Sequence, residues 1–600
     1  MSTSKRVLIL YGSQTFTAQE IAERIWRSTK ILGFSGPVLA MDDYPIVELR
    51  NEEFVVFVCA TTGQGEVPDN MKKFWRFLLR RNLPGNCLSK LRFGVLALGD
   101  SSYSKFNFAG KMLHKRLLQL GAEPLVNVGL CDYQHDLGHD AVAIPWLKEY
   151  FDNLKPFFPN IQTEDLKTDF VPRWKVAIIK DNEVIENCSN KDIYYETGWK
   201  DPFVNAVRLE LEKNERTTDE SHFQDVRLMT FKTISEEKID YSPGDIFNIR
   251  PRNSKEDIEN LFSIFKTHGI DIKPHYKLKV EKHYDDMPVP NFLKEPITMY
   301  EIAEQYWDLK AYPTQYFFSL LALVSEDKLE REKCIELSSP SGQEDWLNYS
   351  RRPKRTALEV LHDFHRTASK LTIEILFELF STVKPRSFSI ASSALVSHNT
   401  KIDILMAVVK YNTNIKKPRL GLASNWLKDL TPGDRVYGWI KKGSFKFAEE
   451  HIPQIMIGPG TGLAPFRSLL QERKNRGTAD KQTLHLFFGC RYQDKDFHCR
   501  RELETMVDDG HLTLYCAFSR DQDRKIYVQH KISEHREELW KMVKNNAHIF
   551  ISGNAKNMPD NVKDAFIEDV FCKTGGLSIE ASKALLEDLE KSNRYQAETW

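Results

Sequence analysis

Long apolar runs are missing from this 600-residue sequence. Its longest, such as Phe54–Ala60 and Tyr316–Val324, fall far short of the ~20 residues a membrane-spanning helix needs. Charge imbalance is missing too: Lys plus Arg and Asp plus Glu are both 84, for a formal net charge of zero. That argues against a general nucleic-acid or membrane-surface binder and leaves only local patches open. Paired cysteines are missing as well. Nine are scattered along the chain and none forms a Cys-x-x-Cys pair, so neither a disulfide framework nor a zinc site is indicated. A reducing compartment, the cytoplasm, is expected. No leader precedes the first apolar segment, Arg6–Tyr11, so neither a signal peptide nor a membrane anchor is expected.

What is present fits a globular chain of several domains. Hydrophobic residues make up 41% and charged residues 28%, and 600 residues are too many for one core. The first 155 residues alternate short apolar strands with amphipathic helices. Strands are predicted over Arg6–Tyr11, Phe54–Ala60, Phe93–Gly99 and Leu125–Val128. Such alternation predicts a doubly wound parallel α/β sheet, with ligands at the carboxyl ends of its strands. Three loops fall at those ends: Ser13-Gln14-Thr15-Phe16-Thr17-Ala18, Ala60-Thr61-Thr62-Gly63, and Leu98-Gly99-Asp100-Ser101-Ser102-Tyr103-Ser104-Lys105-Phe106-Asn107. Hydroxyls and backbone amides at a helix start suit a phosphate. Each loop alone is more readily read as a polar turn; three at one edge are harder to dismiss.

Residues 156–200 are poor in apolar periodicity and rich in proline and polar residues near their start, which reads as a linker with little structure. From 201 to 445 the pattern is that of a β-barrel interrupted by a helical insert at about 255–375. Within it stands Arg386-Ser387-Phe388-Ser389. In an extended strand Arg386 and Phe388 share one face and Ser387 and Ser389 the other. A guanidinium suits a pyrophosphate, an aromatic can cover a flat ring, and a hydroxyl can bond a ring nitrogen. Gly421-Leu422-Ala423-Ser424 follows and opens a helix, which suits a second phosphate contact. Residues 446–600 return to α/β alternation. Gly458-Pro459-Gly460-Thr461-Gly462 is a glycine-rich turn after a strand, and Ser519, Arg520 and Lys525 cluster near a later strand end. A hydroxyl and two cations suit a terminal phosphate and favour NADPH over NADH; a solvated basic turn is the alternative.

Together these motifs resemble the cytochrome P450 reductase-like diflavin reductases over essentially the whole chain. The resemblance implies a flavodoxin-like FMN domain (1–155), a linker (156–200), an FAD-binding β-barrel domain with its helical insert (201–445) and a ferredoxin-reductase-like NADP-binding domain (446–600). It implies FMN contacts at Ser13 to Ala18, Ala60 to Gly63, Leu98 to Asn107, Asp132 and Tyr133, with Tyr103 stacking on the ring. It implies FAD contacts at Lys354, Arg386 to Ser389, and Gly421 to Ser424. NADPH contacts are implied at Thr461, Ser519, Arg520, Lys525, Ile526, Tyr527, Val528, Gln529 and Asn561. Catalytic roles are implied for Ser389, Glu598 and Trp600, the last stacking on the FAD ring. Some positions depart from the family pattern. Phe16 stands where the family has glycine, Lys354 where it has arginine, and Ser552 and Asn554 where P450 reductases carry a cysteine and an acid.

The segments Ser221–Leu228, Arg352–Thr356 and Gln596–Trp600 resemble the branch that feeds cytosolic iron–sulfur cluster assembly. That implies an acceptor of the anamorsin type, an iron–sulfur protein. The alternatives are a reductase for a cytochrome or heme protein, and an assembly scaffold with weakened FMN binding. Phe16 motivates the last: a positive φ there would cost on the order of 1–2 kcal/mol, roughly ten-fold in affinity.

Overall fold

A computed structural model describes residues 5–63, 65–103, 105–159, 170–180, 206–234 and 238–599. It forms two compact units. One comprises Met1–Phe203, Pro251–Lys384 and Tyr411–Leu422; the other comprises Val204–Arg250, Pro385–Lys410 and Ala423–Trp600.

In the first unit, runs of Val, Leu, Ile and Phe too apolar for a half-exposed strand form a sheet buried on both faces. Its members are β1 (Leu8–Gly12), β2 (Val38–Ala40), β3 (Phe54–Ala60), β4 (Arg92–Gly99), β5 (Glu123–Pro124) and β6 (Gly129–Asp132). The order is β2-β1-β3-β4-β5, with β6 also on β4, and every pairing is parallel. The helices α1 (Thr17–Ile31), α2 (Lys72–Leu78), α3 (Phe108–Gln119) and α4 (Asp140–Leu154) follow strands, as a parallel sheet requires. Leu125–Val128, predicted as a strand, is irregular; β5 and β6 flank it. Its apolar residues suit a strand by composition, but β4 offers its pairing groups to β6, Leu96 facing Gly129. β2 escaped the sequence reading because three residues carry no period.

The predicted loose linker is ordered where it is described. β7 (Trp174–Ile179) pairs with β11 (Lys277–Lys282) along its whole length, and β12 (Ile297–Thr298) completes that sheet. Arg173, just before β7, pairs with Glu23 on α1 at 2.5 Å and with Glu378 on the helix Ile373–Leu379 at 3.1 Å. Arg27 on α1 also pairs with Glu378. The predicted helical insert is present: helices span Lys255–Thr267, Gln315–Val324, Lys328–Ser338 and Ala357–Asp363. Ser254, Thr314, Asp327 and Thr356 cap their starts with side-chain oxygens on backbone N–H groups.

The second unit holds two sheets. The first is antiparallel: β8 (Ala206–Arg216), β9 (Val226–Thr233), β10 (Ile246–Ile249), β13 (Arg386–Ser389), β14 (Lys401–Ala407) and β17 (Arg435–Lys441) run in the order β13-β10-β17-β8-β9-β14. The short strands β15 (Lys410–Tyr411) and β16 (Arg419–Leu420) lie between β14 and β17 in sequence. Ile390, after β13, bridges Ile404 on β14, so the two edges meet and the sheet curls into a barrel. Leu209, Phe231, Phe247 and Ile404 fill it. The other sheet is parallel: β18 (Gln454–Ile457), β19 (Leu484–Cys490), β20 (Thr513–Phe518), β21 (His548–Gly553) and β22 (Tyr595–Thr599), in the order β20-β19-β18-β21-β22. Parallel sheet, antiparallel barrel and second parallel sheet are the three architectures expected from the sequence.

Candidate functional site

The first parallel sheet aligns its loops by register. Gly12 faces Cys59, Ala60 faces Leu98 and Gly99 faces Asp132, so the segments 13–18, 60–63, 98–107 and 132–133 share one edge. In the first loop, Ser13 N donates to Asn70 Oδ1 at 2.8 Å and Gln14 Nε2 to Asp69 Oδ2 at 2.9 Å. Ser13 Oγ is buried without a hydrogen-bond partner. A buried hydroxyl without a partner is costly unless something else meets it, and an anion at the start of α1 would. Ala18 is buried, Thr15 exposed and Thr17 between.

Phe16 is the residue before α1 and has φ 65° and ψ −12°, a left-handed conformation that favours glycine. Its ring is half-buried rather than turned fully to solvent. Phe16→Gly is therefore expected to relieve on the order of 1 kcal/mol of backbone strain and to tighten FMN by several-fold to ten-fold. FMN fluorescence titration of both forms checks this; equal dissociation constants would show that the half-buried ring compensates the strain.

The other loops are held by their own side chains. Thr61 N donates to Leu98 O at 2.9 Å, and Ala109 N to Thr61 Oγ1 at 3.2 Å. Thr62 bridges Glu66 across a turn whose Gly63 has φ 50°. Asp132 Oδ1 accepts from Ser101 N at 2.9 Å and Gln134 N at 3.0 Å, and Asp100 Oδ1 accepts from Ser102 N at 2.9 Å. Burial opposes ionisation of Asp132, but these donors outweigh it and lower its pKa. Asp132 thus shapes the loop. Asn107 does the same: it is fully buried, with Nδ2 donating to Cys131 O at 3.1 Å. Gly99 lies so close that a Cβ there would meet Asn107 Oδ1 at 2.6 Å. Tyr103 is half-buried, and burial raises its phenol pKa. Tyr133 is 52% exposed. Lys105 is exposed and Phe106 half-buried. Ser104 lies outside the described residues. Lys384 is a neighbour that the sequence did not reveal: its ammonium donates to Thr17 Oγ1 at 3.1 Å and pairs with Glu20 at 3.3 Å. Nothing in its local pattern marks it.

In the barrel, β13 pairs antiparallel with β10, which sets Arg386 opposite Ile249, Ser387 opposite Asn248, Phe388 opposite Phe247 and Ser389 opposite Ile246. Arg386 and Ser387 are exposed, Phe388 and Ser389 half-buried. Phe388 packs against the barrel interior. Ser387 Oγ donates to Asn248 Oδ1 at 2.6 Å, while Asn248 Nδ2 is buried without a partner. That amide is a further candidate that the sequence reading missed; its signal was a lone polar residue inside an apolar strand. Ala423 and Ser424 are buried in the helix Leu422–Asp429, and Ser424 Oγ accepts from Val409 N at 3.0 Å. Gly421, Leu422 and Lys354 belong to the first unit. Lys354 has φ 52° and its ammonium lies 4.3 Å from the centre of the Tyr312 ring; burial, then Arg351, lowers its pKa.

The second parallel sheet likewise gathers strand ends. β18 leads into the turn Gly458–Thr461, and β19 ends at Cys490. A Cβ on Gly462 would meet Ser552 O at 2.0 Å, so glycine is what lets this turn lie against β21. Ser519 is buried and its N donates to Cys490 O at 3.0 Å, while Arg520 N donates to Arg491 O at 2.9 Å. Arg520, Lys525 and Tyr527 are exposed, Ile526 and Gln529 half-buried, and Val528 buried in the helix Val528–Glu534. The Arg491 guanidinium lies 4.1 Å from the centre of the Phe223 ring. Burial and then the charge of Arg520 lower its pKa, with Asp496 acting against them. Arg491 therefore joins the phosphate-site candidates. Asn561 is exposed on the helix Met558–Asp564.

Glu598 on β22 faces Ser552 on β21 in register. One of its oxygens accepts from Ser444 N at 3.3 Å and Ser444 Oγ at 3.1 Å; the other, like Ser552 Oγ, is buried without a partner. Burial raises the Glu598 pKa above its ordinary value, and Asp245 adds to the rise. Asp245 directly precedes β10, whose Ile246 faces Ser389. The structure thus brings Ser389, Ser552 and Glu598 into one neighbourhood. Trp600 lies outside the described residues.

Three family models match the chain in order: flavodoxin over residues 9–146, FAD binding domain over 202–426, and oxidoreductase NAD-binding domain over 456–564. Curated relatives match end to end. A Danio rerio protein named NADPH-dependent diflavin oxidoreductase 1 is 46% identical over 608 residues, 99% of both chains. Proteins of the same name from Schizosaccharomyces pombe and Arabidopsis thaliana are 34% and 33% identical, over 99% or more of each chain.

Proposed function

The chain belongs to the NADPH-dependent diflavin oxidoreductase family, and from that premise we propose that its electron acceptor is an iron–sulfur protein of the anamorsin type in cytosolic iron–sulfur cluster assembly. It is an NADPH-dependent oxidoreductase that holds FMN, FAD and NADPH in its three modules and passes electrons to a protein acceptor. When bound, the cofactors supply hydride acceptance from NADPH and one-electron delivery; the chain supplies position, charge and exclusion of water. Among the described residues no helix is long and apolar enough to cross a membrane.

In this reading each module's residues have stated tasks. Ser13, Thr15, Thr17 and the amides before α1 hold the FMN phosphate, with Tyr103 beside the ring. Arg386 grips the FAD pyrophosphate, the start of the helix Leu422–Asp429 adds a second contact, and Ser389 offers a hydroxyl to the flavin edge. Ser519, Arg520, Lys525 and Arg491 hold the 2′-phosphate of NADPH. Glu598, kept protonatable by burial, and Ser552 hold a proton and a hydroxyl where the nicotinamide enters. The observation that carries the reading is the set of orphaned buried groups, Ser13 Oγ, Asn248 Nδ2, Ser552 Oγ and Glu598 Oε2, one or more at each site. The segments Ser221–Leu228, Arg352–Thr356 and Gln596–Trp600 support the choice of acceptor.

Stopped-flow reduction at equal concentrations tests that choice. An oxidised anamorsin-type iron–sulfur protein is expected to be reduced by NADPH through this enzyme at least ~10-fold faster than cytochrome c, as charge-matched docking raises association rates. Faster reduction of a heme protein would transfer the assignment to the heme-reductase alternative.

A further inference from the structure

The sequence 70–99 holds seven cations, Lys72, Lys73, Arg76, Arg80, Arg81, Lys90 and Arg92, and no Asp or Glu, in a chain whose net charge is zero. Five of them lie on or just after α2, all exposed. Beside α2 the structure opens a cleft of about 400 Å³. Its walls are apolar and aromatic, from Met41, Tyr44, Ile46, Phe74 and Phe77, and Lys73, Arg76 and Arg80 line it as well.

Charge neutralisation here is partial. Asp69 pairs with Lys72 at 2.6 Å. Asp42 is occupied as a helix cap, accepting from Lys73 N at 3.1 Å and Phe74 N at 2.7 Å. Asp43 is held in check by burial and by Asp42, which raise its pKa, with Lys73 acting against them. Among the described residues no carboxylate lies within ion-pair distance of Arg76, Arg80 or Arg81. The Arg80 guanidinium rests 4.6 Å from the centre of the Phe77 ring, which keeps it over the cleft wall.

Position gives this cleft a use. β2 runs parallel to β1, so the residues after it, Met41 to Asp43, emerge at the same sheet edge as the phosphate loop. Asn70, two residues before α2, accepts directly from Ser13 N of that loop at 2.8 Å. We propose that this cleft is the docking site for an acidic segment of the electron-acceptor protein, one carrying an apolar or aromatic side chain flanked by carboxylates. The proposal rests on the reductase reading and adds the surface by which the acceptor is held beside the FMN module. An apolar floor with a cationic rim matches such a segment. Phosphate recognition fits less well, because Asp42 already takes the backbone N–H groups at the start of α2.

Fluorescence anisotropy on the full-length, flavin-loaded protein tests this, with a fluorescein-labelled peptide of Asp and Glu around one central Trp as probe. Saturable binding is expected that weakens with added salt and falls at least ~10-fold in the double variant R76E/R80E. Both arginines are exposed, and unchanged flavin content of the variant verifies its fold. Unchanged affinity in the variant would overturn the proposal. So would equal binding of the peptide with Asn and Gln in place of its acids. Tighter arginine-dependent binding of phosphatidylserine vesicles, or of a single-stranded oligonucleotide, would overturn it in favour of a phosphate surface. NADPH-driven ferricyanide reduction by the unmodified protein is read in parallel. Its absence would remove the reductase reading itself, whereas intact reduction without peptide binding removes only the docking site.

Discussion

Glu378→Ala is expected to destabilise the first unit by about 3–5 kcal/mol, because it leaves two buried guanidinium groups without their shared counter-ion. Its side chain is 3% exposed; those of Arg27 and Arg173 are 7% and 11% exposed. Arg173 holds Glu378 twice, through Nε and its backbone N–H, both at 3.1 Å. Arg173 also reaches Glu23 on α1 and donates to Phe377 O at 2.6 Å. One carboxylate therefore ties α1, the start of β7 and the helix Ile373–Leu379 together. Burial opposes its ionisation, but Arg173 and Arg27 outweigh burial and hold its pKa below the ordinary value of 4.5. A carboxyl depressed in the folded state stabilises fully above its unfolded pKa, and that contribution is lost as pH falls through the folded value. Urea unfolding followed by FMN fluorescence is expected to show an earlier transition in Glu378→Ala at pH 7, with the gap to the parent narrowing below about pH 4. A shift under about 1 kcal/mol at pH 7 would mean that the network adds little.

Arg520→Ala should separate the two nicotinamide coenzymes. A charge-assisted hydrogen bond contributes about 1.5–3 kcal/mol, so kcat/KM for NADPH should fall about 10- to 100-fold. NADH carries no 2′-phosphate and should lose only a few-fold. Arg491→Ala should act in the same direction, since the backbone bond between Arg520 and Arg491 sets both cations at one strand end. Steady-state kinetics with both coenzymes decides. Equal losses would remove the 2′-phosphate role from Ser519, Arg520 and Lys525 together.

The sequence made some features legible because they are local. Apolar runs bounded by glycine and hydroxyl residues located β1, β3 and β4 to within a few residues. The strand Arg386–Ser389 and the left-handed strain at Phe16 were likewise readable, since alternation and a missing glycine are properties of adjacent residues. β2 and β6 were not readable: Val38–Ala40 and Gly129–Asp132 are short and, unlike Arg386–Ser389, carry no polar–apolar alternation. The segment 156–200 read as a tether because proline and polar residues dominate its start, yet Trp174–Ile179 is a strand. Its order comes from β11, about a hundred residues later, which no local pattern announces.

What the sequence by itself determined is the order of three cofactor modules and the residue types at their loops. Those follow from periodicity and from motifs in which neighbours in sequence are neighbours in space. Only the tertiary structure decided which of those residues are already committed. It turned Asp132 and Asn107 into loop anchors and gave Glu378 to two arginines. It left Ser13 Oγ, Asn248 Nδ2 and Glu598 Oε2 buried without partners. Parallel register brought Arg491 to Arg520 and set the basic cleft of α2 beside the phosphate loop. Partnering and burial depend on residues tens to hundreds of positions away, so the chain must fold before a polar group's neighbours, and hence its role, are set.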